Sequence, residues 1–319
     1  MNLCKRPRIV FCAIVVAIVC AISSHHPARA ADAVPAAPAN RYAATIVPAE
    51  RFEIRGVLVE RHGNGGRPLI LIPGLVSGSW AWQDTIRAFA GDHAIYVLTL
   101  PGFDGRPAAG PAPLANARAA VEELIASRHL DKPVLIGHSL GSTLSLAVAE
   151  DRPGAVGGVV GIDGLPVMPG TEEMPEAART QAAQRMQAAM ARQAPDAFAS
   201  QQQVYMRTIG VLDMGKADEL AKLSARSDPA SAAQYMADDV ALDLRPGLKS
   251  IAAPVLMLVP FYDQDSVGIA QNEKVAYYRD LMQGTPRLQL TAIAPARHFA
   301  MFDQPDQVNE AIRALLKSL

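Results

Sequence analysis

Residues 133–150, PVLIGHSLGSTLSLAVAE, decide the fold that the sequence predicts. The apolar run at 134–136 is typical of a buried strand and stops at Gly137, whereas the spacing after Leu140 indicates a helix. The pattern therefore predicts that Ser139 lies on a sharp turn between a strand and a helix, flanked by Gly137 and Gly141, where side chains would collide with the neighbouring strand and helix. The amide of Leu140 lies at a helix N-terminus, which favours an anion. The pattern indicates a serine whose hydroxyl projects from the turn.

Outward from this stretch, strands and helices alternate. Apolar runs of four to seven residues occur near 69–72, 94–100, 156–162, 255–259 and 288–293, and residues 52–60 have β character. Near-continuous apolar strands separated by helices predict a mostly parallel α/β sheet covered by helices on both faces. From 165 to 249 no strand pattern appears, and the stretch predicts an all-helical cap inserted between core segments 51–164 and 250–319.

Three further stretches extend the pattern of the serine turn. They are LILIPGLVSGSWAW (69–82), LTLPGFDGRP (98–107) and IAPARHFAMFDQPDQVNEAI (293–312). With GHSLG, the chain from about residue 51 onward resembles the α/β-hydrolase family, although Arg297 stands where that family often has Gly. The resemblance implies that Ser139 is the nucleophile, that His298 is the general base, and that the amides of Leu75 and Leu140 form the oxyanion hole.

The acid that orients the histidine is the least defined member of the expected triad. The family commonly takes it from the loop after the strand that follows the insertion, which in APVLMLVPFYDQDS (253–266) indicates Asp263. Asp265 in the same loop is an alternative. Asp163, after the preceding strand in VVGIDGLP, matches the other position that the family uses. The expected catalytic set is thus Ser139, Asp263 and His298, with these two alternatives open.

The nucleophile and the cap indicate the chemistry. A serine at the turn excludes the family branches with an aspartate nucleophile and fits acyl transfer to water. Seven of the eleven methionines fall in the cap, and flexible thioethers suit an adaptable apolar pocket or simple packing of the cap helices. We expect Trp80 and Met168 to contact substrate. The expected function is a serine hydrolase of small, moderately apolar carboxylic esters. Alternatives are lactone or thioester hydrolysis, C–C bond hydrolysis, perhydrolysis, or ligand binding without turnover.

The N-terminal thirty residues predict an export signal. Basic residues precede the apolar run 9–22, and Ala28-Arg29-Ala30 is a small-x-small cleavage site; an uncleaved anchor is the alternative. Residues 31–50 read as a tether. All three cysteines lie in the signal, so a periplasmic or secreted mature chain would contain none.

Charge and compartment limit the expected partners. Removing residues 1–30 deletes four positive charges and moves the net charge from −1 to −5, which disfavours nucleic acid as a partner. No later apolar stretch is long enough for stable membrane insertion. An exported chain meets no ATP or nicotinamide pool, and no His, Asp and Glu groups share ligand spacing in one segment. We therefore expect no cofactor and no metal. The sequence does not define the oligomeric state.

Overall fold

The computed structural model describes residues 40–266 and 268–319. The predicted signal and residues 31–39 of the predicted tether lie outside the described residues. The strands are β1 (Glu50–Ile54), β2 (Val57–His62), β3 (Leu69–Ile72), β4 (Ile95–Thr99), β5 (Val134–His138), β6 (Gly158–Ile162), β7 (Val255–Pro260) and β8 (Leu288–Ile293).

The strands form one sheet in the order β1-β2-β4-β3-β5-β6-β7-β8. The pairs β1/β2 and β2/β4 are antiparallel, and the pairs from β3/β4 onward are parallel. The predicted mostly parallel sheet is confirmed, but the β character of residues 52–60 belongs to two strands. Arg55 and Gly56 both have positive φ, at 52° and 80°, and they turn the chain into a hairpin.

The helices are α1 (Gln83–Phe89), α2 (Pro113–Ser127), α3 (Leu140–Asp151), α4 (Glu176–Met190), α5 (Pro195–Tyr205), α6 (Met214–Ser224), α7 (Pro229–Ala241), α8 (Gln271–Leu281), α9 (Ala300–Asp303) and α10 (Pro305–Lys317). Helices α4 to α7 all fall between β6 and β7. A π-helical turn, Met206–Gly210, extends α5. Within the described ranges no helix combines the length and the hydropathy that crossing a bilayer requires.

Two apolar cores lie on opposite faces of the sheet. In β3, Ile70 and Ile72 join one core, whereas Leu69 and Leu71 join the other. All four side chains are fully buried, because helices cover both faces. This two-sided burial explains why the central strands are continuous apolar runs in the sequence. Because these strands are parallel, their carboxyl ends lie at one edge of the sheet, where the candidate site lies.

Candidate active site

Ser139 occupies the turn between β5 and α3 in a conformation that side chains rarely adopt. Its φ is 51° and its ψ is −121°. The turn is held because the Ser139 N–H donates to the Ile162 carbonyl at 2.9 Å and the Ser139 carbonyl accepts from the Ser142 amide at 2.8 Å. Such backbone strain persists only where the surroundings impose it, and it is concentrated at functional sites.

The flanking glycines make this turn possible. A Cβ on Gly137 would lie 2.1 Å from the carbonyl oxygen of Gly141, and a Cβ on Gly141 would lie 2.1 Å from that of Ile72. Both obstacles are backbone atoms that cannot rotate away. The glycines that bracket Ser139 are therefore required by close packing between β5, α3 and β3.

His298 pairs with a carboxylate from the strand next to the serine. Its Nδ1 lies 2.6 Å from Oδ2 of Asp163, and the two side chains are only 16% and 15% exposed. In the sheet His138 is the register partner of Ile162, so Ser139 and Asp163 each follow directly after the end of one of two paired strands. The parallel register therefore brings Ser139 and Asp163 to the same edge of the sheet, and the histidine loop reaches them from beyond β8.

The prediction that Asp263 is the carboxylate at His298 is wrong. Asp263 is exposed on the loop after β7. Asp265, the other candidate in that loop, accepts two hydrogen bonds from Arg297, at 2.6 Å from Nε and 2.9 Å from Nη2. Arg297, next to His298 in the chain, thus pairs with the Asp265 carboxylate. In the sequence Arg297 is a departure from the Gly that the family often has, but that departure did not indicate the contact with Asp265.

Asp163 is held as an anion. Burial alone would raise its pKa, but the hydrogen bond and the charge of His298, together with Lys274 and the Tyr278 hydroxyl, bring the pKa below its usual value. A carboxylate in this position accepts the Nδ1–H of His298, which leaves Nε2 as the ring nitrogen free to accept a proton.

The loop after β3 approaches the serine closely. A Cβ on Gly74 would lie 2.7 Å from Nδ1 of His138 and 3.1 Å from Cβ of Ser139. Leu75 follows, and Leu140 begins α3. Among the described residues, the backbone amides of Leu75 and Leu140 have no hydrogen-bond acceptor in the protein. Their role as oxyanion donors stays a prediction.

His138 lies beside the serine and bonds to the histidine loop. It is completely buried, and its Nε2 lies 3.0 Å from the backbone carbonyl of His298, to which it donates. Burial lowers the pKa of His138 well below its usual value, so the ring is neutral. A neutral imidazole that bonds to the histidine loop fixes where that loop lies.

The helical cap is bonded directly to the histidine loop. The amide of His298 donates to the carbonyl of Ile209 at 3.1 Å, and the amide of Phe299 donates to that of Gly210 at 2.9 Å. Both acceptors belong to the π-helical turn, a feature often found at functional sites. The turn also places Tyr205 edge-on to His298, with ring centroids 6.1 Å apart. Sequence reasoning identified neither this turn nor Tyr205.

The two predicted substrate contacts lie elsewhere. Trp80 is 1% exposed and packs in the core against the rings of Phe299 and Phe302, so its prediction as a pocket residue is wrong. The short 3₁₀ turn Ser79–Trp82 carries its side chain inward rather than toward a pocket. Met168 packs with an apolar cluster between α4 and α7 that includes Ala183 and Val240. The structure thus gives Met168 the packing role that was the alternative for the cap methionines.

A largely buried carboxyl lies against the loop that follows β3. Asp104 follows β4, its side chain is 14% exposed, and a Cβ on Gly78 would lie 2.4 Å from its Oδ2. Burial raises the pKa of Asp104 to about 6, although Arg226, at 3.3 Å, opposes the shift. Among residues 40–266 and 268–319, no three His, Cys, Asp or Glu side chains are grouped to hold a metal ion.

Comparison with known proteins identifies the family. Residues 69–311 match the model of the alpha/beta hydrolase family, and the chain belongs to this family. A curated relative, the biotin biosynthesis bifunctional protein BioHC of Cellvibrio japonicus, is 26% identical over 261 residues, which are 79% of this chain and 48% of that protein. The chain spans less than half the length of the curated relatives it matches.

Two solved structures share the fold. One is a hydrolase from Pseudomonas aeruginosa PA01, with a TM-score of 0.67 and 16% identity, covering 82% of this chain and 94% of that one. The other is a thermophilic esterase from Thermogutta terrifontis, with a TM-score of 0.66 and 23% identity, covering 85% and 99%. At these identities the likeness concerns the fold, so the site's own geometry must carry the chemistry.

Proposed function

We propose that the protein is a serine hydrolase that cleaves carboxylic esters of small, moderately apolar molecules through an acyl-enzyme. The observation that carries the proposal is the His298–Asp163 pair, which lies at the sheet edge where Ser139 sits on a strained turn. A nucleophile, a base and an orienting carboxylate at one sheet edge are the parts that acyl transfer to water needs.

The proposed reaction has two halves, acylation of Ser139 and hydrolysis of the acyl-enzyme, and the same groups act in both. His298 Nε2 takes the proton of the Ser139 hydroxyl as its oxygen attacks the ester carbonyl, and Asp163 stabilises the resulting imidazolium. The amides of Leu75 and Leu140 donate to the developing oxyanion, and each such donor is worth roughly 3 to 4 kcal/mol in comparable sites. The imidazolium then protonates the leaving alcohol. A water that gives its proton to His298 then attacks the acyl-enzyme, which releases the carboxylic acid product and restores the Ser139 hydroxyl.

The test combines covalent labelling with turnover. A fluorophosphonate probe should label the wild type, and Ser139→Ala should abolish the labelling and lower kcat for short p-nitrophenyl esters by at least about 10³-fold. Ser145→Ala is the matched control, because Ser145 is a buried serine of α3, the helix that follows Ser139, and its hydroxyl donates to the Gly141 carbonyl. We expect this control to label and turn over substrate normally.

A panel of esters with graded acyl length then measures the pocket. Saturable hydrolysis that peaks at one chain length supports the ester proposal. An unlabelled wild type that binds esters without turnover would instead favour the ligand-binding alternative. Labelling without ester turnover would direct the search to lactones and thioesters.

A further inference from the structure

Tyr278 contacts the carboxylate that orients His298. It lies on α8, is 4% exposed, and its hydroxyl donates a hydrogen bond to Oδ1 of Asp163. The other carboxylate oxygen, Oδ2, accepts from His298. Each oxygen of Asp163 therefore has its own side-chain donor, one from the histidine loop and one from a helix that packs beside β7 and β8.

The arrangement restrains a rotation that the backbone leaves free. The terminal torsion of an aspartate joins an sp³ and an sp² carbon, and its rotational preference is broad. With a single partner on Oδ2, the carboxylate plane could swing about that contact. A second donor on Oδ1 defines the plane, and so defines the direction in which Oδ2 points at His298 Nδ1.

Packing alone does not explain a tyrosine at this position. The ring lies in a small apolar cluster with Leu165, Val167, Val259 and Leu281, which a phenylalanine would fill equally well. A buried phenol hydroxyl costs free energy unless it finds a partner. Here the partner is the carboxylate of the candidate triad.

The charged surroundings keep Tyr278 a donor. Burial and the neighbouring Asp163 carboxylate raise the pKa of Tyr278 well above its usual value, so the phenol stays protonated. The other titratable groups that interact electrostatically with Asp163 are His298, Lys274, His138 and Tyr205. Tyr278 is the residue whose hydroxyl bonds to Oδ1, whereas His298 bonds to Oδ2.

We propose that Tyr278 is a positioning residue for acyl transfer, holding the Asp163 carboxylate in the plane that orients the imidazole of His298. The inference rests on the proposed function, because it assigns Tyr278 a role in that reaction. Tyr278 acts through Asp163 and does not itself touch the reacting atoms.

Tyr278→Phe tests the proposal, and Tyr277→Phe is its matched control. The control removes the same hydroxyl from the next residue of α8, where it bonds to Glu172 instead. Hydrogen bonds to charged groups have strengths that correspond to roughly 10- to 100-fold. We expect Tyr278→Phe to lower kcat by about that factor with KM unchanged, and Tyr277→Phe to stay within about twofold.

The pH profile separates positioning from loss of structure. Without the phenol donor, the Asp163 carboxylate becomes a stronger acceptor and favours protonated His298, so the acidic limb of the kcat profile should move to higher pH. A double-mutant cycle with Asp163→Asn gives a second readout. If Tyr278 acts through Asp163, Tyr278→Phe should cost little more once the carboxylate is gone.

Three results would overturn the proposal. The first is Tyr278→Phe behaving like Tyr277→Phe in kcat and in pH profile. The second is a loss of kcat that is fully additive with that of Asp163→Asn. The third is a large drop in melting temperature with an unmoved pH profile, which would identify a structural role. Failure of the proposed function would look different, because the wild type itself would then neither label nor turn over esters.

Discussion

The exchange Asp163→Asn tests which carboxylate serves His298. It keeps the size of the side chain but removes the acceptor of the Nδ1–H. An asparagine amide can donate to Nδ1, which would place the ring proton on Nε2, where it cannot accept the proton of Ser139. The substitution therefore acts on the tautomer of His298 as well as on its charge.

The geometry indicates how large the effect should be. The 2.6 Å contact joins side chains only 16% and 15% exposed, so it is not screened as a surface pair would be. An imidazolium and a carboxylate about 4 Å apart attract by roughly 4 kcal/mol at an effective dielectric constant of about 20. That alone is on the order of 10³-fold in rate. With the unfavourable tautomer, we expect kcat to fall by roughly 10⁴-fold, as in comparable triads.

The assay is steady-state hydrolysis of a short p-nitrophenyl ester by the wild type, Asp163→Asn and Asp263→Asn, with thermal unfolding as a check on folding. Asp263 is exposed on the loop after β7, so its variant should stay within about twofold of the wild type, as surface substitutions usually do. The opposite ranking, with Asp263→Asn inactive and Asp163→Asn active, would refute the assignment of the acid.

Other perturbations test the surroundings of the site and the predicted export. Gly74→Ala places a methyl group against the buried ring of His138, and we expect it to displace the loop after β3. The kcat should fall at least about tenfold, and fluorophosphonate labelling should slow in parallel. Asp104→Asn should raise the free energy of unfolding by about 1 to 3 kcal/mol above pH 6, and the gain should vanish near about pH 4; denaturant titration at both values measures it. The sign follows because the carboxyl ionises near pH 3.8 in the unfolded chain but only at about pH 6 in the folded chain. The free energy of unfolding of the wild type therefore falls as the pH rises through this window. Exported protein should have Ala31 as its first residue by intact-mass measurement, and a mass that begins at Met1 would contradict the proposed signal.

Local pattern was sufficient for the parts of the site that belong to one continuous segment. Ser139 with Gly137 and Gly141 could be predicted, because strand, turn and helix are adjacent in sequence and the turn itself demands glycine. Gly74 and Leu75 follow a strand in the same way.

The acid could not be chosen locally, because Asp163 and Asp263 each follow a buried strand. The choice depended on which aspartate the histidine loop reaches, and on which of two neighbours in that loop, Arg297 or His298, makes the contact. The structure directs Arg297 to Asp265 and His298 to Asp163. Tyr278 escaped notice for a related reason, since nothing near it in the sequence distinguishes its hydroxyl from that of Tyr277.

By itself the sequence determined the sheet, the helical insertion and the serine turn, because apolar periodicity and close-packed glycines are local requirements of buried backbone. Only the tertiary structure decided which carboxylate, which aromatic ring and which cap turn meet His298. Those contacts join residues more than 70 positions apart in the chain, and they depend on the register of β5 against β6 and on how loops from separate elements share one edge of the sheet.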